Sequence, residues 1–503
     1  MEDLLRSRSV AALVAALVFS LAPISAQVTK QETIVIDGKA PARPFPHFWE
    51  KMFGSGRAIL SLRESYRNDL RETKQITGFE YVRFHAIFQD EVGVYSEDPQ
   101  GNPVYNFSYV DQIYDGLLAN GAKPFVEISF MPKQLAAQQI LHPFWYRQNV
   151  SPPKDWRKWD DLITAFIKHL ADRYGVEEVA SWYFEVWNEP NIDFWAGEPK
   201  QSTYWQLYEH TARSVKNVNS RLRIGGPATA QAAWVDAFIK YCTGNNIPLD
   251  FVSSHVYGND TAKDVFNTDE NIPRDQMVCR SVKKVHDQIK ASSKPELPLI
   301  WSEFNASYKN EVEVTDSIYM GPWLADTIRQ CDGLVDIMSY WTFSDVFEEQ
   351  GVVKTPFYGG YGLIAAGDIP KPAFQAFKLL HKLGDQIIPL QEESALATRR
   401  KDGSYVLALW NYAPPEKTGS AKSVTVRFRN IRAKHALVTR LDEDHGNVLT
   451  EYKKLGSPRY PTQTQLQTLR AASQLLGPEK LEVKNAELTL SIPSQGLVLV
   501  ELK

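Results

Sequence analysis

From about residue 45 to residue 385 the chain alternates apolar runs with amphipathic stretches. Over Ser108–Asn120 the apolar residues recur at helical spacing. Val110, Ile113, Tyr114, Leu117 and Leu118 share one face, and Asn120-Gly121 supplies a stop. Phe125–Ile128 then reads as a buried strand. Asp155 is placed to cap a helix running through Trp159, Leu162 and Phe166 to about Tyr174. The next apolar run, Val179–Trp187, is again a strand.

Extending this reading predicts strands near Phe48–Phe53, Tyr81–Ala86, Pro124–Ser129, Trp182–Trp187, Leu222–Gly226, Phe251–Ser254, Leu299–Ser302 and Ile337–Trp341, with helices between them. Eight such β/α units predict an α/β fold, a (β/α)8 TIM barrel over residues 43–385. The structural rival is an open doubly wound sheet. No glycine-rich phosphate loop follows the first strand, which counts against the dinucleotide-binding form of that rival.

The texture changes after about Leu390. Tyr405–Trp410, Val424–Phe428, Ala436–Leu441, Leu488–Ile492 and Leu497–Leu502 are short strand patterns separated by turns. Val424, Val426 and Phe428 alternate with Thr425 and Arg427, so one face is buried and one is wet. This predicts a β-sandwich over residues 386–503, interrupted by a helical insertion around Thr464–Leu476. Strand-like Glu32–Asp37 joins it, so residues 27–42 are assigned to the sandwich.

Residues 1–26 read as a secretory leader. Arg6 and Arg8 precede the apolar run Val10–Leu21, and Pro23-Ile24-Ser25-Ala26 is a small-residue cleavage site. The run is too short for a permanent anchor, and no later segment is apolar enough to cross a membrane. The expected location is secreted or periplasmic, with no stable membrane insertion after cleavage. The three cysteines, Cys242, Cys279 and Cys331, lack metal-ligand spacing. The set allows at most one disulfide, and buried free thiols are the expectation.

A net charge of −4 favours neither nucleic acid nor an anionic membrane as partner. The aromatic share of 12%, with 13 tryptophans, suits either a large core or platforms for sugar rings. No cofactor is implied. A metal-dependent hydrolase lacks support, because no His/Asp cluster shows ligand spacing.

The chemistry concentrates in two segments. Phe184-Glu185-Val186-Trp187-Asn188-Glu189-Pro190-Asn191 runs a buried strand into an acidic residue. Proline disfavours helix at the preceding residue, so Glu189 is expected at an extended strand end. Pro298-Leu299-Ile300-Trp301-Ser302-Glu303-Phe304-Asn305 repeats the logic. These are strands four and seven, which face each other across a barrel mouth, the face that carries active sites. Two carboxyls there suit a retaining glycosidase, with one protonated donor and one ionised nucleophile. Glu185 and Glu127 lie inside strands and are read as ion-pair partners of an arginine such as Arg83.

These segments resemble glycoside hydrolase family 39, the β-xylosidase and α-L-iduronidase family, over roughly residues 40–385. The resemblance rests on Trp182–Asn191, Tyr81-Val82-Arg83-Phe84-His85, Gly225-Gly226-Pro227-Ala228, Ser253-Ser254-His255-Val256-Tyr257, Trp301–Asn305 and Ser339–Asp345. It implies Glu189 as acid/base and Glu303 as nucleophile. It implies that Asn188 bonds the sugar 2-hydroxyl, that His85 and His255 line the glycone site, and that Tyr257 orients the nucleophile or touches sugar. Trp341 is implied as a wall, and Asp345 or Glu349 as acceptors from sugar hydroxyls. In the iduronidase branch a lysine stands where this chain has Tyr257. A neutral phenol does not pair with a uronate carboxylate, which points to a neutral glycone and the β-xylosidase branch, with short xylo-oligosaccharides as substrate. An iduronidase-like or other neutral-glycoside exo-hydrolase is the alternative, and a non-catalytic carbohydrate-binding barrel is a further one.

Overall fold

The computed structural model describes residues 30–417 and 419–503; the leader assigned to residues 1–26 lies outside them. Eight parallel strands close into a barrel in chain order. They are β1 (Met52–Ser55), β2 (Tyr81–Phe84), β3 (Lys123–Ile128), β4 (Tyr183–Val186), β5 (Arg223–Thr229), β6 (Phe251–His255), β7 (Leu299–Phe304) and β8 (Ile337–Tyr340). β8 pairs back to β1 through Ser339 and Met52, which closes the ring. Met52, Tyr81, Phe125, Phe251, Ile300 and Ile337 fill the barrel floor as one apolar cluster.

The first strand is the main departure from expectation. Phe48–Glu50 forms a 3-10 turn, and β1 starts only at Met52. His47 starts that turn: its carbonyl accepts from the Glu50 N–H at 3.3 Å. The expected helices hold: Ser108–Ala119 stops at Gly121, whose φ is +70°, and Trp156–Tyr174 is capped by the Asp155 side chain.

The C-terminal module is two packed sheets. One orders Lys30–Asp37, Lys422–Arg429 and Glu487–Ile492, the first pair parallel. The other has seven strands, with Leu497–Leu502 between Tyr405–Trp410 and His435–Leu441. Ile34, Ile36, Val424, Val426, Leu407 and Val500 belong to the core between them. Arg43–Pro44 pairs with Gln386–Ile388 in the seven-stranded sheet, so the barrel begins slightly later than residue 43. The insertion contains two helices, Val448–Lys454 and Gln463–Ala472, rather than one.

The thiol expectation fails for two of the three cysteines. Cys279, on helix Arg274–Lys290, is disulfide-bonded to Cys331, on helix Met320–Cys331, with Cα atoms 5.2 Å apart. Successive helices of the outer ring lie side by side, which places residues 52 apart in sequence within bonding reach. Cys242 stays free and buried, and burial pushes its thiol up.

Candidate active site

A cavity of about 370 Å³ opens at the C-terminal ends of the barrel strands, and both Glu189 and Glu303 line it. Glu303 stands near the end of β7, a strand buried along its whole length. Arg83 Nη1 donates to its Oε1 at 2.6 Å, and the Tyr257 hydroxyl donates to its Oε2 at 2.7 Å.

Arg83 is the hub beneath the cavity. Its guanidinium is fully buried and also meets Glu185 at 2.6 Å, Glu127 at 2.8 Å and the Asn188 side-chain oxygen at 3.0 Å. A buried cation needs such partners. Glu185 and Glu127 therefore act as the ion-pair residues that the strand reading made them. Arg83 and His85 sit two residues apart on β2 and its end, so strand alternation sends both inward.

Glu189 follows β4 by three residues, but its backbone is not extended. Its φ is +43°, and that of Trp187 is +70°. The rule that proline imposes on its predecessor excludes right-handed helix, and the chain instead turns through the sparsely used left-handed region. Such strain persists where surroundings over-determine it. Here the Glu189 N–H donates to the Ala228 carbonyl at 2.8 Å, and the Trp187 indole to the Phe194 carbonyl at 2.7 Å.

The two carboxylates share one environment and differ within it. An oxygen of Glu189 and an oxygen of Glu303 lie within 4.8 Å of each other, with a His255 nitrogen in the same group. Among the described residues, Glu189 has no Arg or Lys partner; His255 Nδ1 stands 3.1 Å from its Oε1. Burial, then the charge on Glu303, hold the Glu189 carboxyl well above its ordinary range. Burial, then Arg83, hold His255 well below its ordinary value, so it is a neutral imidazole. That imidazole links Glu189 to Ser302 Oγ at 3.0 Å, and Ser302 donates to Glu185 Oε1 at 2.6 Å.

The remaining expected residues divide. Asn188, Tyr257, His85, His255, Trp341 and Glu349 all line the cavity. His85 is aimed by Glu127, 2.7 Å from its Nδ1, and its ring lies 4.7 Å from that of Trp341. Trp341 packs over Gly54 of β1, where a Cβ would come within 2.1 Å of its ring. Burial, then Glu303 and Glu127, push the Glu349 carboxyl well above its ordinary range.

Asp345 is the exception, because it does not line the cavity. It is 1% exposed, its Oδ2 stands 2.9 Å from the Lys371 ammonium, and its Oδ1 accepts from the Gly362 N–H at 2.7 Å. It braces the loops behind the site and is buried away from the cavity lining.

Sequence reasoning missed two cavity features. Asp260 lines the pocket, accepts from the Tyr257 N–H at 2.7 Å, and is pushed by burial up to about 6. It sits on a loop with no strand pattern to flag it. Tyr308 and Tyr361 add aromatic wall from separate loops.

Residues 32–483 match the family described as Glycosyl hydrolases family 39. A β-xylosidase of Geobacillus stearothermophilus is 39% identical over 89% of this chain and 90% of its own length. A β-xylosidase of Caldicellulosiruptor saccharolyticus is 35% identical over 91% and 95%. The crystal structure of a monomeric β-xylosidase from Caulobacter crescentus CB15 superposes with a TM-score of 0.85 at 34% identity, covering 94% of this chain and 99% of that one. The family match runs over nearly the whole length, and the barrel agrees with the solved relative: the chain belongs to glycosyl hydrolase family 39.

Proposed function

We propose that this chain is a retaining β-xylosidase that releases terminal xylose from short β-linked xylo-oligosaccharides. The observation that carries the reaction is the unequal treatment of two adjacent carboxyls. Glu303 is ion-paired to Arg83 and held by Tyr257, whereas burial and the neighbouring charge keep Glu189 protonated. In the first step Glu189 gives its proton to the glycosidic oxygen while a Glu303 oxygen attacks the anomeric carbon. In the second, Glu189 takes a proton from water, which displaces Glu303 and restores the starting configuration. Retaining pairs sit about 5–5.5 Å apart and inverting pairs about 6.5–9.5 Å apart; the short separation here supports the retaining course.

Asn188 accepts from Arg83 through its oxygen, which leaves its amide N–H groups for the sugar 2-hydroxyl. His85, Glu349 and Trp341 form the far wall of the glycone site. The cavity is near the small end of the usual range of roughly 300–1,000 Å³ for ligand pockets, which supports a short substrate. Among the described residues lining it there is no Lys or Arg to meet a uronate. That and the similarity to β-xylosidases support a neutral pentose over iduronate. The test is turnover of an aryl β-xyloside beside an aryl iduronide. Wild type should cleave only the former. Glu303→Ala should be inactive and regain turnover with azide, giving a product of inverted configuration. Iduronide cleavage, or azide rescue without inversion, would overturn the reading.

We further infer that the protein is exported. The leader-like residues 1–26 and the Cys279–Cys331 disulfide support this, since such bonds persist in oxidising compartments. Recovery of a chain starting near Gln27 from the periplasm or medium would test it.

A further inference from the structure

We propose that His47, Glu50 and His381 form a divalent-metal site of the zinc type on the barrel face opposite the cavity. Two places supply the three: the 3-10 turn Phe48–Glu50, which holds Glu50 and is preceded by His47, and the C-terminal end of helix Pro372–Leu380, where His381 stands. Glu50 precedes β1, so the cluster lies at the N-terminal end of the barrel, away from the strand ends that carry the cavity.

The donor set is two imidazole nitrogens and one carboxylate oxygen, a set zinc takes with water in the remaining position. His47 Nδ1 stands 2.8 Å and His381 Nδ1 2.9 Å from Glu50 Oε1, and one ligand atom from each residue lies within 4.8 Å of the others. Ligands held at about 2.0–2.1 Å from one ion are themselves roughly 2.9–3.4 Å apart at octahedral or tetrahedral angles. The spacing around Glu50 already approaches this.

The surroundings suit an ion shared by these three residues. The Glu50 side chain is only 7% exposed, and among the described residues no Lys or Arg pairs with it. Among those residues its oxygens meet only the two imidazoles, and an ion shared by all three would supply the positive charge while both rings stay neutral. His47 stacks on Trp49 with ring centres 4.4 Å apart, which fixes its orientation. His381, 43% exposed in its side chain, leaves the fourth position open to water.

The location gives the site a purpose. The Phe45 N–H donates to the Asp385 carbonyl at 2.8 Å, and Pro44 pairs with Gln386. His47 and His381 flank this crossing, where the chain passes between barrel and sandwich. A metal there would clip the two crossing strands together and stabilise the junction without entering the chemistry.

The test uses the full chain, stripped with a chelator and titrated with zinc sulfate by calorimetry and thermal unfolding, with aryl β-xyloside turnover followed in parallel. The expected result is one zinc per chain, a Tm raised by several degrees and unchanged kcat. His381→Ala and His47→Ala should each weaken binding at least tenfold. Should either variant fail to fold, cobalt(II) added to the wild type should give the visible absorption of an imidazole-ligated ion. No stoichiometric binding would overturn the proposal. Binding that survives in the double variant, or that stops turnover by occupying Glu189, His255 and Glu303, would also overturn it.

Discussion

The Tyr257 hydroxyl donates to Glu303 Oε2 at 2.7 Å while Arg83 holds Oε1 at 2.6 Å, so both oxygens of this carboxylate are oriented before a ligand enters. Tyr257→Phe removes one of these charge-assisted bonds and keeps the ring. A hydrogen bond to a charged group contributes about 1.5–3 kcal/mol. Steady-state kinetics on an aryl β-xyloside should show kcat lower by roughly 10–100-fold with circular dichroism unchanged. A change under twofold would mean that Tyr257 merely fills space.

Glu189 supplies a pH prediction. Its carboxyl is raised by burial first and by Glu303 second. The protonated form is the donor, so kcat/KM should fall as pH rises through this elevated value. In Glu303→Gln the second cause is gone, so the Glu189 titration should move down, though not to that of a free glutamate. Carbon-13 NMR of the labelled carboxyls would read both. An unmoved titration would break the coupling. The same logic applies during turnover: a glycosylated Glu303 carries no charge, so Glu189 ionises more readily and is available to take the proton from water.

The Cys279–Cys331 bond closes a loop of 52 residues. Loop-closure entropy gives such a bond about 4 kcal/mol at most, and measured effects run roughly 2–4 kcal/mol. Cys279→Ser should lower the Tm by several degrees while leaving KM unchanged, because the bond lies on the outer helices. Equal melting curves with and without reductant would show that the bond does not form.

Gly54→Ala tests the glycone wall. The new methyl meets the Trp341 ring, and the ring must shift toward the cavity. Overpacking of this kind costs about 1–3 kcal/mol. The expected signature is a KM raised several-fold together with a modest Tm loss. A Tm loss alone would place Trp341 outside substrate binding.

The barrel was legible because strands covered on both faces read as continuous apolar runs. Glu189 and Glu303 stood out because each closes such a run. What stayed hidden depended on residues distant in sequence. Asp345 carries a motif that resembles a site, yet the fold buries it beside Lys371, away from the cavity lining. Arg83 was visible as a partner for Glu185 but not as the support of Glu303, which only barrel closure brings to it. His47 and Glu50 were too sparse a pattern to suggest a ligand set until His381 joined them. The Cys279–Cys331 pairing followed from helix adjacency, which spacing does not encode.

The parallel pairing of Lys30–Asp37 with Lys422–Arg429 bears on how the molecule assembles. An early-synthesised strand must wait through the whole barrel before its partner emerges. The strand Leu497–Leu502, interior to the seven-stranded sheet, comes later still. Contacts so distant in sequence form late and slowly. Until they do, Ile34 and Ile36 are exposed apolar surface on an unpaired edge, open to chaperones and to proteases. A chain stopped short of residue 497 therefore leaves its first strand without a finished sheet to bury against, and protein quality control would read that as an unfinished molecule.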